Sequence, residues 1–142
     1  EQLFCEFRSV NRLDQSETPI FKLRDSNTEE VVRSAARLVE TLAHSPSCPR
    51  AIFAGNDLIA VGALQGALAA GLSVPRDVAI IGVDNSVVSR ISLPKLSTVD
   101  LRTEALGRTA AELFLRLRSG RADASIPVRE TIPSFLVLRG ST

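Results

Sequence analysis

Residues 78–85 read VAIIGVDN, an unbroken apolar run followed by an aspartate and an asparagine. A run this rich in β-branched residues is typical of a strand that is buried on both faces of a parallel sheet. The polar pair Asp84-Asn85 marks the carboxyl end of that strand. Because ligands bind open α/β sheets outside the carboxyl ends of the strands, this segment predicts a fold class and the place of a site.

A second strand with a similar ending lies upstream. Residues 50–54 form a short apolar strand, the turn Gly55-Asn56-Asp57 follows it, and a helix of small and apolar residues runs over 58–70. We predict that this helix packs closely on the sheet, since apolar residues surround most of its axis. Gly71 is expected to end the helix in a left-handed conformation.

The rest of the chain continues the alternation of strands and helices, which predicts a parallel α/β fold. Upstream we predict a helix over 1–11, a strand over 19–23 and a helix that Ser26 and Glu29 open as a capping box. Downstream we predict a short connection at 86–93, a strand at 96–99, a helix over 103–118, a polar linker at 119–125 and a last strand or strands within 128–139.

Composition excludes several classes of function. The 142 residues carry a net charge of +1 without a cluster of Lys and Arg, so nothing indicates phosphate binding, and if the protein binds DNA the binding module is expected elsewhere. No apolar run is long enough to span a membrane, and the first residues do not resemble a signal peptide. Cys5 and Cys48 form no CxxC pair and are expected to be plain thiols, and the single His44 is expected in an exposed loop. We therefore predict neither a metal site nor a Ser-His-Asp site.

The candidate site consists of the two polar pairs at the strand ends. An ionised aspartate only accepts hydrogen bonds, whereas an asparagine both donates and accepts, and this mixture suits the hydroxyls of a sugar. One alternative is that Asn56 or Asp57 merely caps the following helix. Another is that Asp84-Asn85 is a simple turn. Capping and ligand binding are also compatible in the same pair.

An ordered set of motifs resembles the C-terminal half of the lactose/galactose repressor family. The motifs are AIFAGNDLIAVGAL (51–64), GLSVPRDVAIIGVDN (71–85), PKLSTV (94–99), LG at 106–107 with AA at 110–111, and LRGST (138–142). The resemblance implies a type I periplasmic-binding-protein-like α/β fold, in which a parallel sheet is flanked by helices and two subdomains enclose an effector cleft. The chain would hold mostly the C-terminal subdomain, formed by 1–99 and 128–142, while 100–127 would cross over to the other subdomain.

The same resemblance implies a function without catalysis, cofactor or metal. It is that of the effector-sensing and dimerisation domain of a cytoplasmic regulator, which binds DNA through an N-terminal helix-turn-helix outside this sequence. Asn56 and Asp84 would reach a small effector, a sugar or related metabolite, with Asp57 as a lesser candidate. Leu101 stands where the family often has glutamine, which predicts different polar contacts with the ligand.

Two other classes of function compete with this interpretation. A sugar transport receptor of the periplasmic type would share the fold, but the segments 74–78 and 94–98 are more typical of repressors. An enzyme of flavodoxin-like or Rossmann shape is disfavoured because the sequence contains no phosphate loop and no nucleophile–base pair. Finally, we expect helix 103–118 to expose part of its apolar stripe unless a dimer covers it.

Overall fold

Helices and strands alternate along the chain, as the sequence predicts. The structure is a computed structural model that describes residues 20–23, 27–46, 48–120 and 128–142. The helices are α1 (Thr28–Ala43), α2 (Asp57–Ala69), α3 (Val87–Ile91) and α4 (Thr103–Arg118), and the strands are β1 (Ala51–Phe53), β2 (Ala79–Val83), β3 (Ser97–Asp100) and β4 (Phe135–Val137).

The four strands form one sheet in the order β1-β2-β3-β4. β1, β2 and β3 are parallel, with Ile52 opposite Ile80 and Gly82 opposite Thr98. β4 runs antiparallel to β3. The predicted α/β class is therefore confirmed, and the carboxyl ends of β1, β2 and β3 lie along a common edge of the sheet.

The central strand β2 is buried more deeply on one face than on the other. Ile80 and Gly82 are buried, whereas Ala79, Ile81 and Val83 on the opposite face are only half-buried. The prediction of burial on both faces is thus wrong for this part of the chain, because α2 covers one face of β2 and the described elements cover the other only partly.

Helix α2 is the centre of the core, which confirms the predicted packing of this small-residue helix. Gly62 and Gly66 face α1, whose backbone at Val32 and Ala36 comes into direct contact with them. The absence of side chains at these two positions allows the helix axes to approach closely. The fully buried members of the core from α2 are Ala60, Ala63, Leu64 and Ala67.

The caps of the helices follow the sequence with one correction. Asn27, and not Ser26, is the N-cap of α1: its Oδ1 accepts hydrogen bonds from the N–H groups of Glu29 (2.8 Å) and Glu30 (3.4 Å). An asparagine caps at least as well as a serine, so the adjacent residue could take this position. Ser26 lies outside the described residues. Gly71 ends α2 in the predicted left-handed conformation, with φ +78°.

Of the two outer strand predictions, the one over 19–23 is wrong and the one within 128–139 is confirmed by a single strand. Residues 20–23, the described part of the predicted strand 19–23, form no strand and leave Ile20 and Phe21 exposed. The predicted helix over 1–11 lies outside the described residues. Within 128–139 only β4 is a strand, because β3 has four residues and offers no partner to the residues before Phe135.

Helix α4 exposes its apolar stripe, as predicted. None of its residues is buried, and the Leu106 and Phe114 side chains are 54% and 60% exposed. The reason is that the described part of the chain packs no element along the stripe. The assignment of 100–127 to a second subdomain remains a prediction.

The turn before β2 carries a testable electrostatic feature. Asp77 accepts hydrogen bonds from Arg76 Nε (3.1 Å) and from the Ser73 backbone N–H (2.7 Å). Both stabilise the ionised carboxylate, so the pKa of Asp77 falls from its ordinary 3.8 to about 2.

We expect an NMR titration to give Asp77 a midpoint near pH 2 and Arg76→Gln to move that midpoint upward. Because the folded pKa is below the unfolded value, the stabilising contribution is present above about pH 4 and is lost as the pH falls through about 2. An unchanged midpoint in the variant would show that Arg76 does not lower the pKa.

Candidate functional site

The carboxyl edge of the sheet brings the two predicted polar pairs together. Asn56 and Asp57 follow β1, Asp84 and Asn85 follow β2, and Asp100 ends β3. The two pairs are linked through Ser86, the residue after Asn85, whose backbone N–H and hydroxyl both donate to the Asp57 carboxylate. The structure thus places all three predicted site residues at one edge of the sheet, in three different environments.

Asn56 is the N-cap of α2, which confirms the capping alternative. Its side-chain Oδ1 accepts a hydrogen bond from the Ile59 N–H at 2.8 Å, and the residue is half-buried. Its Nδ2 group donates to none of the described residues. Capping therefore uses only the oxygen of the amide, and the nitrogen is still able to donate to a ligand.

Asp57 is buried, with 1% of its surface exposed. Its Oδ1 accepts from Thr98 Oγ1 at 2.6 Å, and its Oδ2 accepts from the backbone N–H (2.7 Å) and the hydroxyl (2.8 Å) of Ser86. These three donors come from β3 and from the segment that follows β2. The carboxylate therefore connects the start of α2 with β3 and with the segment that follows β2. Its burial and its three hydrogen bonds favour a supporting role over direct contact with a ligand.

Asp84 is exposed, and its carboxylate accepts no hydrogen bond from the described residues. Its backbone N–H donates to the Val99 carbonyl oxygen at 2.9 Å. Asp84 and Asn85 both have positive φ, at 109° and 51°. The first value lies outside the usual regions for a residue with a side chain, so the surrounding contacts must hold this turn in place.

Those contacts include residues that sequence reasoning missed. Asn85 Nδ2 donates to Asp100 Oδ2 at 2.9 Å, and Asn85 Oδ1 accepts from Arg139 Nη2 at 2.6 Å. Asp100 Oδ1 also accepts from the Arg102 N–H at 2.7 Å. No local pattern could reveal this network, because Arg139 reaches Asn85 across 54 positions of sequence.

An open cleft of about 760 Å³ lies above this network, between the strand ends and α4. Its lining contains carboxylates, guanidiniums and hydroxyls, so it offers both donors and acceptors. Hydrogen bonds from Arg102 N–H and Asn85 hold the pKa of Asp100 below its ordinary value, which keeps that carboxylate ionised. The lining residues are Asp84, Asn85, Arg90, Asp100, Arg102, Thr103, Glu104, Ala105, Arg108 and Thr109.

Other potentially reactive groups lie apart from the cleft. His44 is exposed at the end of α1, where its Nδ1 lies 2.8 Å from the Glu40 carbonyl oxygen. Cys48 is a free, half-buried thiol between α1 and β1, and Cys5 lies outside the described residues. Over the parts of the chain that the structure describes, no cluster of His, Cys, Asp and Glu could hold a metal, and no helix could cross a membrane.

A mostly parallel sheet with a polar cleft at the carboxyl ends of its parallel strands defines the class of open α/β ligand-binding domains. The chain belongs to the periplasmic binding protein-like domain family, whose sequence profile matches residues 2–142. This match and the described architecture confirm the type I periplasmic-binding-protein-like fold inferred from the motifs.

Several similar curated proteins are transcription repressors. The repressor MelR of Bacillus subtilis is 34% identical over 80% of this chain and 32% of its own length. The HTH-type transcriptional repressor PurR of Escherichia coli is 39% identical over 58% of this chain and 24% of its own length. The chain thus spans about a third or less of these relatives.

Several similar solved structures are those of transcription regulators. A complex of the regulator CelR with cellobiose superposes with a TM-score of 0.78 and 27% identity, over 98% of this chain and 40% of that one. A LacI-family regulator from Arthrobacter sp. FB24 in complex with lactose gives 0.70 and 34%, over 78% and 41%. The resemblance to the lactose/galactose repressor family is confirmed, and the repressors found favour a regulator over a transport receptor.

Proposed function

We propose that the chain is the effector-sensing domain of a DNA-binding transcription regulator. A small polar effector, a sugar or related metabolite, binds in the cleft above the strand ends. The observation that carries this proposal is the exposed Asp84 carboxylate, which has no partner in the described chain and lies on a polar cleft at the edge where open α/β sheets bind ligands.

Each predicted site residue has a distinct role in this proposal. Asp84 lines the cleft and accepts hydrogen bonds from effector hydroxyls. Asn56 is not among the lining residues, so its Nδ2 donates only to an effector that extends from the cleft to the start of α2, while its oxygen caps that helix. Asp57 is buried and supports the edge through its hydrogen bonds with Thr98 and Ser86. Leu101, which is 40% exposed, offers an apolar surface beside Asp100 where the family often has glutamine. Relatives of known structure hold cellobiose, lactose or sucrose, which supports a sugar as the effector.

The complete protein would act as a homodimer in the cytoplasm and bind operator DNA through an N-terminal helix-turn-helix. The effector would shift the equilibrium between DNA-competent and incompetent dimers by binding one of them more tightly. This role requires selective binding and no bond-making chemistry, so we propose that the chain is not an enzyme.

Asp84→Ala in the full-length protein is expected to weaken effector binding by about 10- to 100-fold, the usual loss for hydrogen bonds to a charged group. Thermal shifts with cellobiose, lactose and sucrose identify a ligand, and calorimetry then gives its Kd for each variant. Fluorescence anisotropy with genomic operator fragments tests whether the same ligand alters DNA affinity.

Asp77→Ala is the matched control, because Asp77 and Asp84 flank opposite ends of the same strand. This control should bind the effector like the unchanged protein. Equal affinity in the Asp84 variant would exclude Asp84 from the site. A bound sugar that leaves DNA affinity unchanged would exclude the regulatory role.

A further inference from the structure

The turn that carries Asp84 is held from two sides. On one side, Thr98 Oγ1 accepts the Asn85 N–H at 3.2 Å and donates to the buried Asp57 carboxylate. On the other side, the Asn85 side chain lies between Arg139 and Asp100. Because the Asp84 carboxylate makes no hydrogen bond or ion pair with the described residues, its position depends on the backbone of the turn and on its neighbour Asn85.

Arg139 follows β4 and extends beneath the turn, where it is half-buried. Its Nη2 donates to Asn85 Oδ1 at 2.6 Å, while its Nη1 donates to the Leu96 carbonyl oxygen (2.6 Å) and to Ser89 Oγ (3.2 Å). All of these acceptors are neutral. A guanidinium with its planar set of donors can hold several such acceptors in a fixed relative geometry, which a lysine cannot do.

The hydrogen-bond chain continues from Asn85 to the beginning of α4. Asn85 Nδ2 donates to Asp100 Oδ2, and Asp100 Oδ1 accepts from the N–H of Arg102, the N-cap residue of α4. Arg102 has a left-handed backbone with φ 52° and makes no side-chain cap of its own. Asp100 therefore fixes the backbone at the point where the chain leaves the sheet.

We propose that Arg139 is a positioning residue for the effector site, and that it acts through Asn85. By fixing the Asn85 amide, Arg139 sets the Asp84 turn and, through Asp100, the start of α4. The C-terminal segment thus ties the effector-contacting turn to the segment that leaves the sheet. The inference rests on the proposed function for its effector, whereas the hydrogen-bond chain is testable without any ligand.

A double-mutant cycle with Arg139→Met and Asn85→Ala in the full-length protein tests this order of action. The readouts are hydrogen exchange of the Arg102 and Asn85 N–H groups by NMR, and the Kd for cellobiose, lactose and sucrose. Each single variant should accelerate exchange at Arg102 by about tenfold, and the double variant by no more than either single, since both remove one pathway. Arg139→Lys should restore only part of the protection.

Arg129→Met is the matched control, since Arg129 is exposed on the same C-terminal segment and should leave exchange unchanged. Unchanged exchange at Arg102 in the Arg139 variants, or effects that multiply in the double variant, would overturn the proposal, because a merely structural Arg139 would act independently of Asn85. If none of the sugars binds any variant but the exchange rates are coupled, the sugar effector is wrong and the positioning role stands. If the sugar affinity is equal in all variants, Arg139 affects only the hydrogen exchange of the backbone. That result would overturn its role in positioning the effector site.

Discussion

Asp57→Ala is expected to lower the free energy of unfolding by about 3 kcal/mol, the scale of losing a buried hydrogen-bond network. The carboxylate is 1% exposed and accepts three hydrogen bonds. Its removal leaves the Thr98 hydroxyl and two groups of Ser86 without their acceptor. It also leaves a void next to Gly82, since the Asp57 Oδ1 atom occupies the space that a β-carbon built at Gly82 would take.

Urea unfolding of the full-length protein measures this loss as a lower midpoint with an unchanged slope. Asp57→Asn should cost less than Asp57→Ala, about 1–2 kcal/mol, because its carbonyl oxygen still accepts from one of the two donor residues, Thr98 or Ser86. The other donor residue loses its acceptor, which accounts for the remaining loss. The amide NH₂ would then face either Thr98 Oγ1 or the Ser86 donors. Glu112→Ala, at an exposed carboxylate of α4, should change stability little. A loss below about 1 kcal/mol for Asp57→Ala would show that water replaces the carboxylate at little cost.

The role of Asp57 shows where sequence reasoning reached its limit. The turn Gly55-Asn56-Asp57 correctly predicted a helix start at the carboxyl end of a strand. Which of the two polar side chains points inward depends on whether the helix begins at one residue or the next. The capping alternative named both Asn56 and Asp57 and did not choose between them. The structure assigns the cap to Asn56 and the buried position to Asp57.

Regular elements with strong local patterns were predictable to within a residue or two. Helix α4 begins and ends where its pattern predicts, at Thr103 and Arg118, and β2 lies within the apolar run 78–83. Short edge elements were less predictable, since β4 forms only opposite the few residues of β3. Its pairing also brings Arg139 beneath the turn, which no pattern in the sequence indicates.

The candidate site likewise contains one residue whose place was predictable from the sequence and others whose contribution was not. The position of Asp84 followed from one strand and its ending, because parallel strands of one sheet end along one edge. The contribution of Asn85 could be recognised only from the structure, which shows two positive φ values in the turn and hydrogen bonds of Asn85 with Thr98, Asp100 and Arg139. The residue proposed to contact a ligand was thus easier to predict here than the residues that hold its turn in place.

Gly66→Val is expected to destabilise the protein by about 3 kcal/mol, at the upper end of the usual cost of overpacking a core. Gly66 is buried, and a β-carbon built there would overlap the Ala36 carbonyl oxygen and lie 2.8 Å from Ala36 Cα. Those atoms belong to the backbone of α1 and cannot rotate away, so the helices α1 and α2 must separate.

Gly66→Ala separates this clash from helix propensity. Alanine favours a helix over glycine by about 1 kcal/mol, which partly offsets the overpacking and should leave a net loss of about 1–2 kcal/mol. Gln65→Ala, at an exposed position of the same helix, is the control and should be nearly neutral. Urea unfolding ranks the series. An increase in stability for Gly66→Ala would mean that the α1–α2 contact adapts to a methyl group, and the close approach of the two helices would then not depend on glycine.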